Sequence, residues 1–207
     1  MSRIERPAGD SQLVQIVDGA FADAAQRSGP WLACRPGCTQ CCHGVFEIHL
    51  LDAARLQQGL EHLKASDPER AVRVQQRANE AVQHLSPNFP GDLATGLLDE
   101  TEEAEAAFEE FGNDEPCPAL DPATGTCDLY EYRPITCRVF GPPVRDDRGG
   151  LGVCELCFQG APREEIVRCE MVPDPDNLET KLLEEVETEA KQAGYTIVAF
   201  ALNAWRT

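Results

Sequence analysis

The stretch of sequence that decides the fold is Cys34-Arg-Pro-Gly-Cys38-Thr-Gln-Cys41-Cys42-His43. Four thiols and an imidazole stand within ten residues, which is far denser than in an ordinary soluble chain. Cysteine thiolates are soft ligands, and closely spaced sets of them suit zinc or an iron–sulfur cluster. This stretch therefore predicts a metal centre held by cysteines.

The other six of the ten cysteines lie further along the chain, in a segment rich in proline and glycine. Such a segment packs poorly by itself, and a metal site is one common way to hold it. Steps of ten residues separate Cys117, Cys127 and Cys137, as expected for ligands that converge from separate loops. Cys154 and Cys157 have a spacing that redox motifs and metal sites share. In this company we interpret the pair as metal ligands.

Nine of the ten cysteines are predicted metal ligands: Cys34, Cys38, Cys41, Cys42, Cys117, Cys127, Cys137, Cys154 and Cys157. The role of Cys169 stays open. His43 is expected beside the site rather than in it, because the adjacent Cys41 and Cys42 leave little room for a further ligand.

Arg133 and Arg138 flank Cys137 in the sequence. We expect both to help bind the metal or cluster by offsetting the negative charge of a thiolate–metal centre, through hydrogen bonds to sulfur or to nearby carbonyls. The alternative for each arginine is an ordinary salt bridge to one of the many carboxylates.

The kind of metal is constrained by the neighbouring pair Cys41-Cys42, which can hardly bind one mononuclear ion without strain. A [4Fe–4S] cluster takes four cysteines, and the candidate set is Cys38, Cys41 or Cys42, Cys127 and Cys137. Zinc takes four ligands in a closed tetrahedron, and enough cysteines remain for zinc as well. We expect a [4Fe–4S] cluster or zinc, and the crowded pair favours iron–sulfur.

The same residues resemble the CxxCxxCC cysteine-cluster family (YkgJ type). The matching pattern is Cys34-x3-Cys38-x2-Cys41-Cys42, then Cys117-Pro-x-Leu, Gly125-x-Cys127-x-Leu-Tyr130, and Arg133-Pro134-x-x-Cys137-Arg138-x-Phe140. It covers about residues 34–158 and departs from the family in its first spacing, three residues instead of two. The resemblance implies a zinc- or iron-chelating domain. Flagellin lysine methylases of the family carry such a cluster, so the resemblance also allows an enzyme.

The charge balance bears on partners and location. Acidic side chains outnumber basic ones by 36 to 18, a formal charge of −18, which repels nucleic acid phosphates and anionic membranes. The first residues lack the apolar core of a signal peptide, and the longest apolar run, residues 196–202, is too short to span a bilayer. We expect a cytoplasmic protein with no nucleic acid or membrane partner. A disulfide framework is the competing interpretation, but disulfides are rare in that compartment.

Helical spacing of apolar residues predicts a mainly α fold, a helical domain with an irregular cysteine-rich metal-binding lobe and little β. The predicted helices span residues 10–28, 52–64, 68–85, 92–111 and 175–193. We expect a single domain over 1–207, with a cysteine-cluster region over 34–169, a helical insertion at about 52–111, and a C-terminal helix and short strand over 175–202. The two halves of the cysteine pattern should meet in space.

Three functions fit these features. The first is a cytosolic protein that holds an iron–sulfur cluster, zinc or both, with no assigned reaction. The second is a metalloenzyme, either redox or methyltransferase-like, although the sequence shows no glycine-rich nucleotide turn of the Rossmann type. The third is a zinc-stabilised scaffold for an unknown protein partner.

Overall fold

The structure is a computed structural model that describes residues 5–146 and 149–203. The mainly α prediction is confirmed, since eight α-helices and only short strands lie among these residues. The α-helices are α1 (Asp10–Ser28), α2 (Leu50–Ser66), α3 (Pro68–Leu85), α4 (Glu102–Glu109), α5 (Ile135–Val139), α6 (Arg163–Arg168), α7 (Leu178–Ala190) and α8 (Val198–Asn203). The strands are β1 (Glu47–His49), β2 (Gly91–Asp92), β3 (Leu97–Leu98), β4 (Leu120–Asp121), β5 (Thr126–Cys127), β6 (Val144–Arg145), β7 (Leu151–Gly152) and β8 (Tyr195–Ile197). Short 3-10 helices span Gly29–Trp31, Gln40–Cys42, Ser86–Asn88 and Tyr130–Tyr132.

The described residues form two compact units. The first unit comprises residues 5–7, 39–134 and 183–203; the second comprises residues 8–38, 135–146 and 149–182. The boundary between Cys38 and Thr39 divides the cysteine-rich stretch of the sequence, so each unit holds thiols of its own.

The core of the first unit is built by α2, α3 and α8. Helix α3 begins where the sequence predicts, because the Asp67 carboxylate accepts a hydrogen bond from the Arg70 N–H at 3.0 Å and Pro68 occupies the first turn. Its apolar residues recur at helical spacing, and Val74 and Ala78 are fully buried. Cys117 and Cys127 pack against this core, so the helices support the cysteine loops.

Antiparallel pairs of short strands complete the first unit. Strand β1 pairs with β8, with Ile48 opposite Thr196. Strands β4 and β5 form a hairpin that sets Cys127 opposite Leu120, and Gly125 in its turn has φ 66°, a left-handed value that favours glycine. This hairpin presents Cys127 close to the Cys117 segment.

The helix predicted over residues 92–111 is wrong in its first half. Asp92 there starts a turn, since its carboxylate accepts hydrogen bonds from the Ala94 N–H and the Thr95 hydroxyl. Strands β2 and β3 flank the turn, and α4 begins only after Thr101, whose hydroxyl accepts a hydrogen bond from the Ala104 N–H at 3.2 Å. Local side-chain bonds to the backbone outweigh helix propensity here.

The C-terminal prediction also needs correction. The last long helix, α7, ends at Ala190 rather than at residue 193, and Lys191 follows it in the left-handed conformation, with φ 51°. The residues predicted as one strand, 195–202, divide into β8 and α8. Among the described residues, no helix combines the length and apolar character needed to cross a membrane.

The second unit packs α1 against α5. Leu13 and Val17 of α1 are fully buried at the spacing that the sequence predicts. A second apolar cluster lies around Phe158 and contains Cys154, Cys157 and Cys169. Three cysteines of this unit are therefore part of its core, and Cys34 packs against them.

Candidate metal centre

All ten cysteines are free thiols, with no disulfide among them. In the first unit the thiols of Cys41, Cys42, Cys117 and Cys127 form what we call the first thiol set. Their side chains are half-buried. The two halves of the sequence pattern meet here, because the Cys117 N–H donates to the Cys42 carbonyl at 2.8 Å. The expected meeting of distant cysteines is therefore observed for this set.

Local backbone geometry aims N–H groups at two of these sulfurs. The Ala119 and Leu120 N–H groups act to lower the pKa of Cys117, and the Leu129 N–H acts to lower the pKa of Cys127. The Leu120 N–H donates to the Cys117 carbonyl at 2.9 Å. An N–H group directed at a sulfur favours the thiolate over the thiol. Backbone N–H groups around sulfur are also the usual outer support of thiolate–metal centres.

The thiols of the adjacent pair are coupled by a hydrogen bond. The Cys42 thiol donates to Cys41, which lowers the pKa of Cys41 to about 6, although burial opposes this shift. The same bond raises the pKa of Cys42. One sulfur of the pair is thus a thiolate at neutral pH while its neighbour keeps a proton.

The other two thiols of the set are held neutral by their surroundings. Burial raises the pKa of Cys117 to about 12, and the neighbouring Cys127 adds to that shift. Burial also raises the pKa of Cys127. Because a buried thiolate is costly without a compensating cation, these sulfurs are poised to exchange protons for a metal.

The two predicted arginines have different surroundings. Arg133 lies in the first unit, where its positive charge lowers the pKa of Cys41. Its guanidinium lies 3.9 Å from the centre of the Tyr130 ring and donates to the Tyr130 carbonyl at 2.9 Å. Arg138 lies buried in the second unit and donates to both carboxylate oxygens of Asp18 at 2.8 Å, which is the salt bridge that the sequence left open.

The remaining predicted ligands belong to the second unit. Cys34, Cys38, Cys154 and Cys157 form what we call the second thiol set, since Cys34 interacts with the other three. Cys137 lies in α5 and is half-buried. The predicted cluster set of Cys38, Cys41 or Cys42, Cys127 and Cys137 thus takes residues from both units. The two open positions are also placed, with His43 exposed and Cys169 fully buried.

Within each set the cysteines lie near one another, but their thiols are not arranged as metal ligands. Among residues 5–146 and 149–203, no three Cys, His, Asp or Glu side chains already stand in the arrangement of a metal site. The thiols of Cys34, Cys42 and Cys117 keep their protons, since the pKa of each is raised. Binding a metal requires loss of these protons and rotation of the side chains.

A comparison with protein families matches residues 33–151 to the CxxCxxCC model, described as a candidate zinc- or iron-chelating domain. The match spans more than half of the chain. The chain belongs to the CxxCxxCC family. Comparisons with curated proteins and with solved structures give no match. The family match includes the whole first thiol set and ends before Cys154 and Cys157.

Two charged residues that the sequence analysis missed support the first thiol set of this CxxCxxCC protein. Arg77 of α3 donates to the Pro118 carbonyl at 2.8 Å and to the Asp128 carboxylate at 2.5 Å. Pro118 follows Cys117, and Asp128 follows Cys127, so one guanidinium ties both cysteine segments to the helix. The sequence gives no signal for this contact, because an arginine on a polar helix face is common.

A groove of about 500 Å³ lies in the same unit, within the range of about 300–1,000 Å³ typical of small-molecule sites. Phe46, Phe108 and Tyr195 contribute aromatic surface to it. Four carboxylates also line the groove: Glu47, Asp99, Glu100 and Glu105. A ligand that fits it would be apolar in part and positively charged.

Proposed function

We propose that this member of the CxxCxxCC family is a metal-binding protein whose first thiol set holds a [4Fe–4S] cluster. One observation carries the proposal: Cys41 and Cys42 lie beside Cys117 and Cys127, which come from a segment 75 residues later in the sequence. Four thiols, sulfur-directed N–H groups and the Arg133 charge suit an anionic thiolate–metal centre. A bound cluster of this kind would supply a one-electron redox centre.

The choice of a cluster over a single zinc ion rests on Cys41 and Cys42. Their thiols emerge from consecutive residues joined by a planar peptide bond, so binding both to one ion would close a small, strained ring. In a [4Fe–4S] cluster each cysteine binds a different iron. Zinc, which the family description also allows, is the alternative metal for this set.

Each residue of the site has a part in binding. Cys41, already a thiolate near neutral pH, offers the first sulfur to an incoming metal. Cys42, Cys117 and Cys127 follow as they lose their protons. Arg133 offsets part of the negative charge, and the packing of Cys117 and Cys127 against the apolar core limits the access of water.

The test is anaerobic purification of the full chain with iron, acid-labile sulfide and zinc analysis beside a visible absorption spectrum. We expect a brown protein with iron and sulfide in equal amounts, and loss of both in Cys127→Ser. His43→Ala is the matched control, since His43 is exposed next to Cys42 and should not be a ligand. If the protein contains zinc and no iron, and Cys127→Ser loses that zinc, the iron–sulfur proposal is overturned and the proposal of metal binding by this set stands. Full metal content in Cys127→Ser would overturn the site.

A second candidate function is a metalloenzyme, which the groove supports. Its lining begins at Val45, three residues after Cys42, and its carboxylates suit a cationic substrate. A catalytic metal keeps one position open for substrate or water, whereas a structural metal is closed. A change in the visible spectrum of the loaded protein on adding a small amine would favour this function.

The proposal also includes the setting of the protein. Thiolate centres of this kind need a reducing compartment, and ten free cysteines suit one, so we propose a cytoplasmic location. The formal charge of −18 supports partners other than nucleic acid or anionic lipid.

A further inference from the structure

The second unit holds two tight turns, each with a pair of cysteines at its ends. In the first turn the Cys38 N–H donates to the Arg35 carbonyl at 2.9 Å, and Gly37 has φ 87°, a left-handed value that favours glycine. In the second turn the Cys157 N–H donates to the Cys154 carbonyl at 2.8 Å. Turns of this kind present two sulfurs to one side of the chain.

The cysteines of the two turns pack together. Cys34 packs against the buried cluster that contains Cys154 and Cys157, and burial, together with the charges of Cys157, Cys38 and Cys154, raises the pKa of Cys34. A Zn–S bond of about 2.3 Å places two sulfurs on one tetrahedral ion about 3.8 Å apart. Binding one ion would bring these clustered sulfurs to that separation by rotation of the side chains.

Backbone N–H groups also point at this set. The Ala33 N–H donates to the Cys157 sulfur at 3.4 Å. The Leu156 N–H acts to lower the pKa of Cys154, against the effect of burial. The first contact joins the segments of the two turns, and the second N–H lies within one turn.

The backbone next to Cys157 is strained in a way that holds the turns together. Phe158 has φ 55°, a left-handed conformation that is strained for a non-glycine residue. Its ring is buried and its N–H donates to the Trp31 carbonyl at 2.8 Å, so the chain entering the first turn is tied to the chain leaving the second. Strain of this kind persists where the surroundings over-determine it, and it concentrates at functional sites.

A close approach of backbone and sulfur completes the arrangement. Gly141 lies against Cys34, and a Cβ added there would stand 2.6 Å from the Cys34 sulfur. The Gly141 carbonyl also accepts the Cys154 N–H at 3.4 Å. Only glycine lets this segment pass so near both turns.

From these contacts we propose that Cys34, Cys38, Cys154 and Cys157 form a second metal site, a four-thiolate structural zinc centre within the second unit. Four thiols lose their protons to solvent as zinc binds, and the four sulfurs close its tetrahedron. The site divides the CxxCxxCC stretch, with Cys34 and Cys38 serving this centre and Cys41 and Cys42 serving the first thiol set. Cys154 and Cys157 lie beyond the family match.

The experiment uses the full chain, purified from zinc-supplemented cells, with zinc, iron and sulfide measured per chain. We expect Cys154→Ser and Cys38→Ser each to lose one zinc per chain while the metal of the first thiol set is unchanged. Cys127→Ser should show the reverse. Cys169→Ser is the matched control, because Cys169 packs in the same buried cluster as Cys154 and Cys157 but belongs to neither turn.

Two results would overturn the site. The first is loss of the same metal in Cys154→Ser and Cys127→Ser, which would indicate one shared centre. The second is retention of zinc in Cys154→Ser or its loss in Cys169→Ser, which would indicate other ligands. Failure of the first thiol set alone would leave the zinc result intact, so the two proposals are tested separately.

A measurement on the unmutated chain covers variants that fail to fold. Cysteines are alkylated before and after zinc is removed with a chelator, and the labelled residues are identified by mass spectrometry. We expect Cys34, Cys38, Cys154 and Cys157 to be protected together and released together. Alkylation of any of them at the same rate with and without zinc would contradict the assignment.

Discussion

Asp128→Asn should weaken both the fold and metal binding, because Asp128 links the Cys127 segment to helix α3. Its carboxylate is 1% exposed and accepts hydrogen bonds from Arg70 and, at 2.5 Å, from Arg77. Hydrogen bonds to a charged group contribute about 1.5–3 kcal/mol each. In the variant both arginines, which are partly exposed, can hydrogen-bond to water, and the amide oxygen of the new side chain can still accept one bond from them. We therefore expect the free energy of unfolding to fall by about 2 kcal/mol.

The assay is urea unfolding of the metal-free chain, followed by metal titration of the folded protein. A slope of about 2 kcal/mol per molar urea converts the expected loss into a midpoint about 1 M lower. Glu61→Gln is the matched control, since it removes the same charge from an exposed pair with Lys64 at 2.8 Å and should cost less than about 0.5 kcal/mol. An Asp128→Asn midpoint equal to that of the control would refute the reasoning.

Two further predictions follow from the packing and from the thiol chemistry. Gly59→Ala should lower the free energy of unfolding in urea by about 1 kcal/mol, because the new Cβ would stand 2.5 Å from the Tyr132 side chain. Overpacking costs about 1–3 kcal/mol, which exceeds the gain of about 1 kcal/mol in helix propensity. Gly19→Ala is the control and should be stabilising, since a Cβ added there has nothing within 4 Å. In the metal-free chain the Cys42 thiol lowers the pKa of Cys41 from its ordinary value of 9.0 to about 6. Cys41 therefore stabilises the folded chain fully above pH 9.0, and this contribution is lost as the pH falls through 6. Its alkylation rate, followed by mass spectrometry, should therefore inflect near pH 6, and an inflection near pH 9 would count against the coupled pair.

The helices were predictable where local signals and tertiary packing agree. For α3 the Asp67 cap, Pro68 and the apolar spacing all point to the same element, and the structure places its start there. Over residues 92–111 they disagree, since an apolar and acidic composition suits a helix while Asp92 and Thr95 form side-chain bonds that suit a turn. Composition does not reveal which of these wins, because the strand pairing that stabilises the turn comes from β2 and β3 together.

The sequence predicts which cysteines are candidate ligands, and the structure divides them between two units. Spacing alone suggested that Cys38 and Cys137 could join Cys41 or Cys42 and Cys127 in one set. Cys38 and Cys137 lie in the second unit and the other three cysteines in the first, and this set stays a prediction. Cysteines separated by two or three residues can share one turn, and this spacing can be seen in the sequence. Which turns then lie together depends on the topology of the whole chain.

The N–H support of the sulfurs shows where local sequence can predict more. The N–H two residues ahead acts to lower the pKa of Cys117, Cys127 and Cys154, in Cys-Pro-Ala, Cys-Asp-Leu and Cys-Glu-Leu. Such an arrangement needs only a turn after the cysteine, so it is set within a few residues. The Arg77 contact with Pro118 and Asp128 is of the opposite kind, since it joins segments 41 and 51 residues away. The candidate ligands are therefore positioned by local turns and grouped by contacts between distant segments, and we expect mutation to show that the contacts between distant segments are essential.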